Sequence, residues 1–286
     1  MSSITAEQIK QLRERTGVGL GKCKAALEEN NGDIERAIEA LRKAGIASAV
    51  KKESRATNEG RILFLETAEG IALVEMNAET DFVVNNERFS KLHKELVHDL
   101  AVAKTSDLQK FVEMHSKRDK TKTIDDERKE LIAVLGENIV ISRILFIPKA
   151  SNSSYGIYSH MNGKILCLVE ISGASGEEEF AREIGMQVAA EAPEYLSVED
   201  VPHAVKAKEE EIARSQVGNT GNKPAEVVEK IVQGKVRSYY DQVCLLNQKY
   251  IKDNAITVAQ YVASYGKKIG KEIKVSRFIR WHLGGA

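Results

Sequence analysis

Asp81 and Phe82, in the run Glu75-Met76-Asn77-Ala78-Glu79-Thr80-Asp81-Phe82-Val83, place an acid and an aromatic ring at the expected start of a helix. The chemistry open to such a pair is contact chemistry: a carboxylate to face a cation, and a ring to fill an apolar slot. Each residue also has an ordinary structural use. Thr80 or Asp81 can cap the first free N–H groups, the helix dipole favours an anion there, and a first-turn aromatic packs back as core or staple.

Covalent chemistry finds no comparable constellation. Thr16-Gly17-Val18-Gly19-Leu20-Gly21-Lys22-Cys23 has the glycines of a phosphate loop, but lacks Gly at 16, Ser or Thr at 23, and a preceding strand. A dinucleotide fingerprint would need glycine at 22. His93, His98, His115, His160, His203 and His282 form no His-Glu-x-x-His or other metal spacing, and no Gly-x-Ser-x-Gly elbow occurs. The expectation is a protein that acts by binding, without covalent catalysis, metal or cofactor.

Composition narrows the partners. The 42 basic and 42 acidic residues of the 286 cancel, so no overall field draws the chain to nucleic acid or an anionic membrane. The local basic run Lys117-Arg118-Asp119-Lys120-Thr121-Lys122 reads as a solvated linker. Cys23, Cys167 and Cys244 form no Cys-x-x-Cys pair and two sit among apolar neighbours, which suits free buried thiols in a reducing compartment. No signal peptide and no apolar run of about 18 residues is visible, so a cytoplasmic protein is expected.

The elements that must position Asp81 and Phe82 follow from periodicity. Residues 1–50 read as three helices: Thr5 to Gln8 is a capping box, Thr16 to Gly19 and Asn30 to Asp33 are breaks, and the apolar faces carry Ile9 and Leu12, then Leu20, Cys23, Ala26 and Leu27, then Ile34, Ala37, Ile38 and Leu41, a small unit resembling the ubiquitin-associated fold. Residues 51–59 read as a polar linker. From 60 to 147 a hairpin of strands (Arg61 to Glu66, Ile71 to Asn77) leads into a helix from Thr80 to about Lys104, further helices near 106–115 and 125–134, and a strand from Ile139. From 148 to 286 the order repeats: a hairpin turning at Met161-Asn162-Gly163, a helix opening at Ser175 or Gly176, and a closing strand over 273–281. An antiparallel helical hairpin around 203–243 interrupts it, with a flexible turn over 217–223 and Pro224 in the first turn of the returning helix. The fold expected is therefore α+β: an N-terminal three-helix module, then two related subdomains with antiparallel sheets.

These residues resemble the bacterial elongation factor Ts family over nearly the whole chain. The resemblance is carried by Leu12-Arg13-Glu14-Arg15-Thr16-Gly17-Val18-Gly19-Leu20-Gly21-Lys22-Cys23-Lys24-Ala25-Ala26-Leu27, by the run at 75–83, by Leu135-Gly136-Glu137-Asn138-Ile139, and by Phe278-Ile279-Arg280. It implies a guanine nucleotide exchange factor that binds the GTPase elongation factor Tu in its GDP form. Carried over position by position, Arg13 and Leu20 would touch the GTPase's nucleotide-binding domain. Thr80, Asp81, Phe82 and Val83 would form the turn that disturbs its magnesium and phosphate site. Leu135 and Gly136 would support that face, and His160 would contribute from the second subdomain. The chain departs from the family at Gly21, where a large apolar residue is common, at Lys22, where an acid is usual, and after Trp281, where some members continue as a helix. The first departure implies weaker N-terminal anchoring and the second reversed local charge. The rival class is a non-catalytic scaffold binding other proteins through the three-helix module and the hairpin, which could also pair with a second copy.

Overall fold

Thr5 and Gln8 close the expected capping box and start α1 (Ala6–Thr16), which Gly17 ends in the left-handed conformation at φ 72°. The computed structural model describes residues 4–217 and 224–285. After Gly17 the chain turns into α2 (Leu20–Glu29) and, with Asp33 as cap, into α3 (Ile34–Val50). Leu12, Cys23, Ala26, Leu27 and Ala37 fill the space between them. The glycine that suggested a phosphate loop is thus a helix stop. Cys23 Sγ points inward, 3.3 Å from the Val18 carbonyl oxygen.

Strands β1 (Glu59–Glu66) and β2 (Gly70–Ala78) form the hairpin, with Thr67 Oγ1 donating to the Gly70 carbonyl across the turn. Every residue of β2 is buried, as its mixed apolar sequence requires of a central strand. The single helix expected after Thr80 is two helices: α4 (Asp81–Val84), and α5 (Glu87–Ala103) capped by Asn86. Then come α6 (Leu108–Glu113), α7 (Ile124–Leu135) and β3 (Ile139–Pro148), which pairs antiparallel with β2 to give the order β1-β2-β3. Phe89, Leu96 and Leu100 of α5 bury against Val74 and Met76, with Phe111 and Ile132 closing the core. Helix α3 lies along α7, close enough that a Cβ at Gly45 would stand 2.8 Å from that of Ala133.

The basic run at 117–122 links α6 to α7 with Lys117, Arg118, Lys120 and Thr121 exposed, but it is also tied down by ion pairs. Arg118 reaches Asp99 at 2.8 Å, Glu95 at 3.5 Å and Glu127, joining α5 to α7, and Lys122 pairs with Glu130 at 2.8 Å. Flanking acids suggested charge cancellation in water, whereas folding gathers them around one guanidinium.

His93, on the buried side of α5, bonds through Nε2 to the Val74 carbonyl at 3.0 Å, and burial pushes its pKa down to about 4. Between pH 6.5 and about 4 the unfolded chain therefore binds a proton that the folded chain refuses. Stability from this group is full above pH 6.5 and falls as pH drops, by about 2 kcal/mol at pH 5. Urea midpoints recorded from pH 7 to pH 5 should show this slope, and His93→Gln should flatten it.

The second unit repeats the plan with β4 (Ser153–His160), β5 (Ile165–Ser172) and α8 (Glu178–Glu191), which Glu177 precedes rather than Ser175 or Gly176. The hairpin α9 (His203–Val217) and α10 (Ala225–Val243) packs on itself through Ala213, Val217, Val232 and Val236. The turn expected over 217–223 lies, beyond Val217, outside the described residues. A two-stranded ribbon of β6 (Lys249–Tyr250) and β7 (Asp253–Thr257), then α11 (Val258–Ile269) and β8 (Lys274–His282), complete it, with sheet order β4-β5-β8. Contacts group residues 4–149 with 283–285, and separately 150–217 with 224–282.

The repeat extends to single residues. Leu73-Val74-Glu75 on β2 matches Leu168-Val169-Glu170 on β5, and Ser142-Arg143 on β3 matches Ser276-Arg277 on β8. Glu75 sits opposite Arg143 and Glu170 opposite Arg277, and each ladder slips by one residue at the serine beside the arginine. Each arginine Nε stands 2.7 Å from its glutamate.

Candidate functional site

The turn at 79–86 is set by what lies on either side of it. β2 ends at Ala78, paired with Ile139, and the chain then leaves the sheet. Thr80, not Asp81, is the N-cap of α4: its backbone is extended and its Oγ1 accepts from the Val83 N–H at 3.4 Å. Val83 and Val84 are buried in the sheet–helix core, which fixes the underside of the turn. The upper side holds Asp81, exposed, and Phe82, whose ring is 84% exposed. The ordinary use of a first-turn aromatic, packing back as core, is therefore not what Phe82 does. Arg61 Nη2 donates to Asn85 Oδ1 at 2.6 Å and holds the break before α5.

Leu135 and Gly136 end α7 beside this turn. Gly136 takes φ 86° as a left-handed stop, its N–H bonding to the Ile132 carbonyl at 2.9 Å, and Leu135 is half-buried against the same core. The next residue, Glu137, reaches across: Oε2 accepts the Thr80 N–H at 3.0 Å and Oε1 the Thr80 hydroxyl at 2.8 Å. In return Glu79 Oε1 accepts the Asn138 N–H at 2.6 Å. Glu79, Glu137 and Asn138 stand in the runs that carry the family resemblance, but sequence assigned them no site role, because the partners are 57 and 59 residues apart.

The three-helix module contributes two exposed groups. Arg13 is exposed on α1, and Leu20 opens α2 with half its surface exposed, so it is not core. The turn between those helices meets the start of α5, where the Arg88 guanidinium leaves no room for a Cβ at Gly17. Gly21 is exposed with open space around it. The Lys52 ammonium is held below the usual lysine range, first by burial and then by Lys22 and Arg55, with Glu79 opposing. Reversing the usual charge at position 22 thus places a cation among cations.

His160, in the other unit, is exposed at the end of β4 and stacks on Tyr158, with Nδ1 3.1 Å from the Tyr158 hydroxyl. Met161, Asn162 and Gly163 follow with φ of 49°, 56° and 85°, a left-handed tip that leaves Met161 61% exposed. The three cysteines are buried and free, and burial pushes Cys167 up to about 12 and Cys244 up to about 11, away from thiolate chemistry. Among the described residues no group of three or more His, Cys, Asp or Glu is arranged to hold a metal ion. Nor is any described helix long and apolar enough to cross a membrane.

Two three-stranded antiparallel sheets, one of them with an acid and a bare aromatic ring just past the end of its central strand, are carried by a sequence that has known relatives. The family model described as "Elongation factor TS" covers residues 79–285. Proteins named elongation factor Ts from Protochlamydia amoebophila and Chlamydia felis are 48% and 43% identical to this chain. One from Chlamydia trachomatis is 42% identical; each alignment spans 99% of this chain and all of the relative. The protein is a translation elongation factor by class. It belongs to the elongation factor Ts family.

Proposed function

We propose that this chain is the guanine nucleotide exchange factor for elongation factor Tu, binding its GDP form and speeding GDP release. The observation that carries the reading is Phe82: a large apolar side chain, 84% exposed, on a turn whose other side is tied into the core by Val83 and Val84. An exposed aromatic on a rigid backing is an anchor in search of a slot. A GTPase grips its nucleotide through a phosphate-cradling loop and a bridging magnesium ion, so displacing the elements that position the ion loosens the grip. Phe82 supplies the apolar wedge, and the exposed carboxylate of Asp81 faces the partner's cation site. Arg13 and Leu20 bind the nucleotide domain from the three-helix module. The Leu135-Gly136 stop supports the wedge, and His160 adds a contact from the second unit.

No bond is made or broken on this chain, and it needs no cofactor of its own. Binding energy is converted into weaker nucleotide binding, and linkage makes the effect mutual, so that nucleotide equally expels the factor. Weakening GDP ten-thousandfold takes about 5.5 kcal/mol, whereas one buried phenylalanine supplies about 2 kcal/mol. Several contact regions must act together. Mixing the chain with elongation factor Tu carrying a fluorescent GDP tests the reading in a stopped-flow instrument. Release should accelerate with factor concentration and saturate; a scaffold would bind and leave the rate unchanged.

A further inference from the structure

We propose that Glu137 is a positioning residue for Phe82, acting through Thr80, with Glu79 and Asn138 closing the same clamp from the opposite side. The inference rests on the exchange reading above and adds residues to it.

The case begins with the shortness of α4. Four residues cannot hold a helical turn by themselves, and α4 is closed by a few backbone bonds: Val84 N–H to the Thr80 carbonyl at 3.3 Å, Asn85 N–H to the Asp81 carbonyl at 2.9 Å and Asn86 N–H to the Val83 carbonyl at 3.0 Å. Phe82 is exposed, so its ring gains no direction from neighbours and points where the Thr80–Val83 backbone points. That backbone begins at Thr80, and both donors of Thr80 go to one carboxylate, Glu137. Charge-assisted bonds of this kind are the strong ones. With its hydroxyl proton given to Glu137, Thr80 Oγ1 keeps a lone pair for the Val83 N–H.

The reverse strut works alike. Glu79 Oε1 takes the Asn138 N–H at 2.6 Å and the Arg55 guanidinium at 3.3 Å. Asn138 Nδ2 donates to the carbonyl oxygens of Arg55 at 2.9 Å and Glu53 at 3.4 Å, so the segment after α3 is tied to the same knot. Two chain segments thus exchange a backbone N–H for a carboxylate, each in turn, just beyond the last rung of the β2–β3 ladder. The ladder and core beneath do not depend on the knot; the aim of the turn does.

The test uses the full chain and two readouts. Glu137→Ala should lower the saturating rate of labelled GDP release from elongation factor Tu about tenfold, with half-saturation changed by less than about twofold. Amide hydrogen exchange at Thr80 and Val83 should rise about tenfold, while Leu96 inside α5 keeps its protection. Glu137→Gln, which retains one acceptor oxygen, should recover part of both effects. Thr80→Val, keeping shape without the hydroxyl, should move both readouts in the same direction and serves if Glu137→Ala does not fold. Unchanged saturating rates, or a loss confined to half-saturation, overturn the positioning role. Unchanged amide exchange at Thr80 and Val83 overturns the clamp. Should the unmodified chain leave GDP release unaffected, the exchange reading fails and the positioning role with it, while amide exchange still decides whether Glu137 holds the turn.

Discussion

Phe82→Ala is expected to slow factor-driven GDP release about 30-fold at saturation, the rate equivalent of the roughly 2 kcal/mol that full burial of the ring contributes. Its effect on folding should be within about 0.5 kcal/mol, because a ring that is 84% exposed adds almost nothing to the core. The combination is diagnostic. A buried phenylalanine such as Phe89 would reverse it, costing stability first and activity only as a consequence. Stopped-flow release of labelled GDP and a urea titration of the same preparation give both numbers. A release rate equal to that of the parent would remove the wedge from the mechanism.

Arg143→Met should destabilise the chain by about 3–5 kcal/mol, the usual cost of stranding a buried charge. Glu75 is 1% exposed, and its carboxylate accepts from Arg143 Nε at 2.7 Å and from the Gly284 N–H at 3.0 Å. Taking away the arginine leaves, among the described residues, an anion held by the Gly284 N–H. The double change Glu75→Met with Arg143→Met should restore much of the loss, since it removes the stranded charge as well as the pair. The equivalent Arg277→Met should cost less. Each glutamate keeps one further donor, but the Arg277 and Glu170 side chains are 42% and 11% exposed against 20% and 1% for Arg143 and Glu75, so water softens the change. Denaturant midpoints of the three variants would check the order, and equal losses at both sites would refute the burial argument.

Much of the architecture was legible because it rests on local rules. The capping boxes, the hairpin at Thr67 to Gly70 and the left-handed stop at Gly136 each follow from residues within one turn of each other. The location of Thr80 to Val83 at the mouth of a helix was legible for the same reason. The break between α4 and α5 was not, although Asn85-Asn86 stood in plain view. Phe82 and Phe89 are seven residues apart, and that spacing carries an apolar stripe straight through the break, whereas Asn86 in fact caps a new helix by accepting from the Arg88 N–H. The roles of Glu137 and Arg118 were hidden for a different reason. Both look like solvated charges in sequence, and only tertiary folding delivers Thr80 to the first and three carboxylates to the second.

The doubled strand set carries a hazard for the newly made chain. A third strand out of register would drive its arginine away from the waiting glutamate, so each charge pair rejects slippage within its own sheet. It does nothing against exchange between sheets, because β3 and β8 offer the same serine, arginine and one-residue slip to either central strand. Beyond the different apolar residues of β3 and β8, the order of synthesis favours correct assembly. β3 leaves the ribosome long before β8, and the first hairpin can capture it while the rival hairpin is still being synthesised. Refolding from denaturant removes that head start, and strand-swapped monomers and tangled dimers are the failures to look for there.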